Sequence, residues 1–469
     1  MPNAPSALSR LNGLNGLNGL AQYCASIIEE HQCPSVSTAV VEHGEVVLAE
    51  AHGLADIASD RPAIPDTAYA LASITKPMTA TAICVAADQG LLDLDAPVSA
   101  FTARDQGWPA PTVRQLLRHR GGFGAHYDFH YGDPGDAERI DAAPYAIPHR
   151  APDTAFEYAN LGYRALGHLL EEATGQGLAD FVREQVFEPL GLSALHLGPA
   201  YPGPAPWATR YTTDGRAYPP YCDTSHPGAT LGWAPAAQLA LFAQSYDRLL
   251  KPETAAAVRE ARPVNPGLGY GLGWCLSRGA GPLVQSHGGG MGGVAAIVVT
   301  VPEQRLSVSV LTNSTDKTAR DRITHHILET LVPGFAPESI SPFTADPARP
   351  ANLPATDWHG SISTPEGDIP VSLTLIPEDD RARLHLNGQS AESPASASRT
   401  YALQATFPLQ LPTADARINS PALSLHLRLH HDDGSLRGVA RAHKPGGDTQ
   451  GLLGNLLTHP CQLSSHPEG

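Results

Sequence analysis

The stretch Ala70-Leu71-Ala72-Ser73-Ile74-Thr75-Lys76-Pro77-Met78-Thr79-Ala80-Thr81-Ala82-Ile83-Cys84-Val85-Ala86-Ala87 decides how the rest of the chain is read. It is almost apolar on every side of a helix, which predicts a buried helix rather than a surface one. Gly90 supplies a C-terminal stop. Ser73 and Lys76 stand three residues apart, so a helix sets them on one face about one turn from each other. Ser-x-x-Lys alone reads equally as a capping serine with a solvated lysine. The apolar surroundings favour a different reading. An ammonium on a buried helix is costly unless something answers it, and a neighbouring hydroxyl can.

Working outward, the 469 residues exceed one ordinary domain and fit two, and 42% apolar content is enough for a sizeable core. A formal net charge of −16 and a pI near 5.7 argue against nucleic acid or an anionic membrane as partner. No apolar run reaches the length of a membrane span. Met1 to Leu20 has one arginine and no apolar centre, unlike a signal peptide, and Leu11-Asn12-Gly13 recurs three times through Gly19 as in a flexible leader. A cytoplasmic protein is therefore expected. The six cysteines form no C-x-x-C pair, and the 21 histidines show no H-E-x-x-H spacing. No metal or other cofactor is expected.

The chain divides by pattern. Residues 1–19 read as leader and 20–335 as a mixed domain. Prolines recurring at 337, 342, 347 and 350 mark 336–354 as a linker, and 355–469 read as all-β. In the mixed domain Leu20 to Gln32 reads as a helix. Val36–Val41 and Val46–Glu50 form a hairpin about His43-Gly44. Thr112 to His119 and Leu161 to Ala173 read as helices. Residues 196–235 look irregular. Val284–His287, Val294–Val301 and Leu306–Leu311 read as strands, and Asp321 to Leu331 as a helix. Strands at both ends with helices between predict one antiparallel sheet joined from the two ends of the domain, with a helical insert. In the C-terminal part, Leu423, Leu425, Leu427 and Leu429 alternate with polar residues as in a half-buried strand. Asn387-Gly388 and Asp433-Gly434 mark hairpin turns. The pattern leaves barrel and sandwich both open.

A nucleophilic serine needs a base, a proton relay and an oxyanion hole. The chain offers Tyr158-Ala159-Asn160 before a helix and His287-Gly288-Gly289-Gly290 at a strand end. Tyr158 alone is more often a packed aromatic, Asn160 a helix cap and His287 a structural histidine; the conjunction with Ser73 and Lys76 carries the catalytic reading. Ser73-x-x-Lys76, Tyr158-x-Asn160 and His287-Gly288-Gly289, in that order, resemble the three motifs of the class C β-lactamase and penicillin-binding-protein family of serine hydrolases. Gly269 to Trp274 and Gly292-Gly293 resemble its flanks. The resemblance implies an α+β fold: a five-stranded antiparallel sheet flanked by helices, with a helical lobe. It also implies roles. Ser73 would be acylated, and Lys76 and Tyr158 would move its proton. Asn160 would hold Lys76 and a substrate amide. The N–H groups of Ser73 and Gly290 would form the oxyanion hole, while Gly288 and Gly289 let the substrate backbone approach.

Two departures narrow the expectation. His287 stands where β-lactamases and cell-wall peptidases carry lysine, and a histidine greets a substrate carboxylate less well. Ala159 stands where many members have serine. Both count against antibiotic hydrolysis, as does the absence of an export signal. The aromatic segment Gly121 to Tyr131 is expected to line the cleft or to form a packed loop. Together with a lipocalin-like C-terminal barrel, this resembles penicillin-binding-protein-type thioesterases. The resemblance implies a peptidyl carrier protein or peptidyl thioester as partner and macrocyclisation as the reaction. D-Aminopeptidase or carboxylesterase activity, and a catalytically inactive scaffold, are the alternatives. Arg437 and Arg441 share one strand face, either solvated or with one of them holding a substrate carboxylate.

Overall fold

The structure is a computed structural model. It describes residues 16–98, 108–132, 141–203, 205–277, 281–340, 348–351, 353, 356–398, 400–413, 422–430, 432–443 and 456–465. The chain falls into two compact units, one of 1–94, 131–137 and 166–343, the other of 95–130, 138–165 and 344–469.

The first unit is built on an antiparallel sheet whose long strands are β1 (Ser35–Glu42), β2 (Glu45–Asp56), β4 (Val284–Met291), β5 (Val294–Val301) and β6 (Leu306–Thr312). His43 and Gly44 both take positive φ in the β1–β2 turn, at 54° and 90°, as a tight hairpin requires. β1 lies between β2 and β6, with Val36 opposite Thr312 and Glu42 opposite Leu306, so the two ends of the domain do meet. The full sheet has nine strands rather than five. Arg61–Pro62 is added beside β2, and Cys275–Ser277, Leu268–Tyr270 and Arg262–Asn265 beside β4. The added strands are two to four residues long, too short to show a period in sequence.

Helix α1 (Leu20–Glu30) and the later helix Thr318–Leu331 cover one face. Leu20, Cys24 and Ile27 pack there with Val36, Val40, Val308, Val310, Ile323 and Ile327. Leu17 joins that core at 5% exposure, so the end of the expected leader is packed; residues 1–15 lie outside the described residues. On the other face Ser309 Oγ donates to Ala236 O at 2.6 Å, tying down the helix Ala236–Ser245. The segment read as irregular contains a strand, Gly232–Ala234, that pairs with β3 (Tyr69–Ala72). Helix α2 (Thr75–Asp88) follows β3, and every residue from Thr75 to Ala86 is buried, as its all-round apolar character predicts.

In the second unit eight antiparallel strands form a closed barrel, which resolves the choice between barrel and sandwich. Closure is made by Asp357–Thr364 pairing with Leu456–Ser464, His359 opposite Ser464. Leu423, Leu425 and Leu427 point inward at 0% exposure with Leu373, Leu384 and Phe407, so side chains fill the interior. Leu429 is only partly buried, where the alternation runs out at the strand end. The same unit holds the short helix Val113–Leu117, started by a capping box between Thr112 and Gln115. The segment read as cleft lining or packed loop is packed: Phe123, His126, Asp128 and Phe129 are buried. Tyr127 exchanges backbone hydrogen bonds of 2.7 and 2.8 Å with Leu456 of the barrel. Of the expected linker, residues 341–347, 352 and 354 lie outside the described residues, and Pro337–Ser339 forms a single 3-10 turn. Among the described residues no helix is long and apolar enough to cross a membrane.

Candidate active site

Ser73 sits on the turn between β3 and α2, one residue before the helix cap rather than inside the helix. Ala72 before it takes φ 47°, an uncommon conformation for a residue with a Cβ. Hydrogen bonds hold it there. Thr75 Oγ1 donates to Ala72 O at 2.6 Å and accepts from Gly232 N at 2.7 Å. The turn leaves Ser73 half-buried while Lys76 behind it is fully buried. Lys76 Nζ lies 3.2 Å from Ser73 Oγ and donates to Ala229 O at 3.1 Å. The Ala229 carbonyl is itself fixed, since Thr79 Oγ1 on the same helix bonds the neighbouring Gly228 O at 2.7 Å. Burial drives the Lys76 pKa well below the ordinary lysine value. A neutral amine in hydrogen-bond reach of a serine can take its proton, which an ammonium cannot.

β4 brings in the third motif. The strand does not end at His287; it continues through Gly288, Gly289 and Gly290 to Met291, and the turn is made by Gly292 and Gly293, the latter at φ 71°. Its pairing with Cys275–Ser277 stops at Ser286, while pairing with β5 continues to Met291. One edge of the glycine stretch is therefore left by its neighbour strand, which is where an extended acyl chain could add. The glycines also serve packing. A Cβ on Gly289 would come within 2.0 Å of Leu71 O, two residues before the serine, whereas one on Gly288 would meet nothing closer than 3.9 Å. Gly289→Ala is accordingly expected to cost about 1–3 kcal/mol in stability and to push β4 off the serine turn. Gly288→Ala should be tolerated; thermal unfolding and probe labelling of the two variants check the contrast.

His287 is 3% exposed. Its Nδ1 lies 2.9 Å from Gly288 O, which only accepts, so Nδ1 carries the proton and Nε2 accepts from the Tyr270 hydroxyl at 3.0 Å. Burial above all lowers its pKa to about 3. It is thus a neutral imidazole, in line with the expectation that it offers no permanent cation. Sequence reading missed Tyr270 as its partner, although Tyr270 lies in the glycine-rich flank it singled out. It also missed Lys317, whose Nζ would be 3.1 Å from a Cβ on Gly290. The Ala229 carbonyl left no signal, since any residue type could supply it.

Tyr158 and Asn160 belong to the second unit. The Tyr158 ring lies 4.2 Å from the His119 ring, centroid to centroid, and Ala159 N donates to His119 Nδ1 at 3.1 Å. Asn160 starts the helix Asn160–Thr174, is 2% exposed, and gives its Nδ2 to His126 O at 2.8 Å. Arg437 is the solvated member of the arginine pair and bonds Asp433, whereas Arg441 Nη2 donates to the Glu157 carboxylate at 2.6 Å. All six cysteines are buried free thiols.

Three comparisons bear on this geometry. A D-aminopeptidase of Cereibacter sphaeroides is 29% identical over 297 residues, covering 60% of this chain, and the chain spans 57% of its length. Esterase EstB of Burkholderia gladioli is 32% identical over 189 residues, 35% of this chain and 47% of the esterase. Among solved structures, SurE with D-Leu superposes with a TM-score of 0.63 at 19% identity, over 91% of this chain and 97% of SurE. The octameric penicillin-binding protein homologue of Pyrococcus abyssi gives 0.59 at 20% identity, over 96% and 100%. These structural likenesses speak for the fold, barrel included. The sequence model of the Beta-lactamase family matches residues 20–331, more than half of the chain and all of the sheet unit's motifs, so the protein belongs to the Beta-lactamase family.

Proposed function

We propose that the protein is an acyl-transfer enzyme that takes a peptidyl thioester from a carrier protein onto Ser73 and releases it as a macrocycle. The observation that carries the reading is the buried Lys76 amine 3.2 Å from Ser73 Oγ. In the first step Ser73 Oγ bonds the thioester carbonyl carbon and its proton passes to Lys76. The carbon–sulfur bond then breaks, and the thiol leaves with a proton returned through Lys76 and Tyr158. In the second step the amine of the same peptide attacks the ester, loses a proton to the same relay, and Ser73 is regenerated. The N–H groups of Ser73 and Gly290 are assigned to the carbonyl oxygen, and Asn160 to Lys76 and a substrate amide. Gly288 and Gly289 are assigned to the peptide backbone, and neutral His287 to orienting Tyr270 beside them.

The neutral His287 supports a substrate without an obligatory carboxylate at that position, which suits a carrier-bound acyl chain better than a β-lactam. A cytoplasmic setting belongs to the same proposal, since the acyl donor would be made inside the cell. A second reading, hydrolysis of amides of D-amino acids, is supported by the D-aminopeptidases among the sequence relatives. Steady-state rates on a peptidyl N-acetylcysteamine thioester, a p-nitrophenyl ester and a D-amino-acid amide separate the two. The thioester is expected to be cyclised at least about 100-fold more efficiently, in kcat/KM, than the amide is cleaved, a difference of roughly 2.7 kcal/mol. A preference for the amide, or release of only linear acid, would overturn the cyclase reading.

A further inference from the structure

The charges buried around Glu157 in the second unit do not balance. Its carboxylate accepts from Arg441 Nη2 at 2.6 Å, from Tyr401 OH at 2.8 Å and from Arg150 Nη2, with His149 Nε2 at 3.2 Å. Arg428 completes the group. Its guanidinium lies over the Tyr401 ring, 4.9 Å from the centroid, and its Nε donates to Thr400 O at 3.1 Å. Burial keeps His149 below the ordinary histidine pKa, against the pull of Glu157. Among the described residues one carboxylate thus faces three guanidiniums, and two positive charges are left over.

The donors tell the same story. Arg150 is 6% exposed, yet its Nε and Nη1 have no hydrogen-bond partner; neither have Arg428 Nη2 and Arg441 Nε. Buried N–H groups of a charged side chain are expensive to leave unmade. Arg428 also forms one wall of a cavity of about 470 Å³, which Arg349 lines as well, together with Ser398, Thr400 and Tyr401. Among the described residues no aspartate or glutamate lines it. Arg349 Nη2 donates to Ser398 O at 2.9 Å, which holds that side chain at the cavity.

We propose that this cavity of the barrel unit is an anion site that takes a phosphate or phosphoryl group between Arg349 and Arg428. A guanidinium fork matches phosphate oxygens two at a time, and a phosphate near neutral pH carries close to the two negative charges the cluster lacks. The anion can be free phosphate or the phosphoryl group of a small phosphomonoester, both of which approach two negative charges near neutral pH. The site does not depend on the acyl-transfer reading, and Ser73→Ala separates the two failures.

Calorimetric titration of the full chain with inorganic phosphate, at constant ionic strength set by chloride, tests it. Saturable one-to-one binding is expected. It should weaken at least about tenfold in Arg349→Gln and in Arg428→Gln, and stay unchanged in Ser73→Ala. Arg349 is exposed, so its variant folds as the wild type does and keeps the test valid if Arg428→Gln does not. Competition by 4′-phosphopantetheine but not by pantetheine would assign the site to a phosphomonoester, and phosphate binding without that competition would assign it to the free anion. No saturable binding to the wild type, wild-type affinity in both arginine variants, or saturation by acetate and not phosphate would each overturn the proposal.

Discussion

Ser73→Ala is expected to abolish labelling by a fluorophosphonate or β-lactone probe and to lower kcat/KM by about 10⁴-fold or more. The size follows from what one atom does. Ser73 Oγ lies 3.2 Å from the Lys76 amine, so removing that oxygen removes both the attacking atom and the proton the amine takes up. Lys76→Ala should fall nearly as far. The double variant should be no worse than either single one, because residues acting as a unit do not contribute additively. Folding is not at stake for Ser73. The side chain is half-buried on a turn held by Thr75, Ala72 and Gly232, none of which uses its hydroxyl. The thermal midpoint of Ser73→Ala should therefore stay close to that of the wild type. Labelling that persists in Ser73→Ala would sink the nucleophile assignment, whatever the substrate proves to be.

What could be read in the sequence depended on how far each signal reaches. Periodic burial is local, so α2, the β1–β2 hairpin and the Leu423–Leu427 alternation were visible as such. The pairing of β1 with β6 across the whole domain followed from strands at its two ends. Barrel closure did not, because it rests on the register between Asp357–Thr364 and Leu456–Ser464. Nothing in either strand's composition states its partner. Ser73, Lys76 and the glycines after His287 stood out because ordered motifs are specific. The partners that tune them did not. The Ala229 carbonyl is backbone, and Tyr270 reaches His287 across 17 positions. The strand through Gly288–Gly290 was mistaken for a strand end, since glycine ordinarily weakens a strand. Here it is demanded by the approach to Leu71 O. Arg441 was read as solvated or substrate-facing, because its true partner, Glu157, is 284 positions away.

That partnership makes Glu157→Gln the second large effect expected, this time on stability: a loss of about 3–5 kcal/mol near neutral pH. The glutamine keeps the volume and one acceptor oxygen, so packing is preserved and the charge alone is removed. Glu157 is one-tenth exposed, and the three guanidiniums around it would be left with no negative charge in the cluster. The pH dependence supplies an internal control. Burial alone would raise the Glu157 pKa. His149, Arg150 and Arg441 overcome it and hold the carboxyl well below the usual glutamate value. A carboxyl depressed in the folded state stabilises the fold above its unfolded pKa, about 4.3, and that contribution fades as pH falls through the unfolded value toward the folded one. Chemical denaturation of wild type and Glu157→Gln should therefore differ by a constant amount from pH 6 to 8, and the gap should narrow below about pH 4.3. Other carboxylates titrate in both proteins and cancel in the difference. A gap that is small at pH 7, or that does not narrow in acid, would mean that the guanidiniums are neutralised by something other than Glu157.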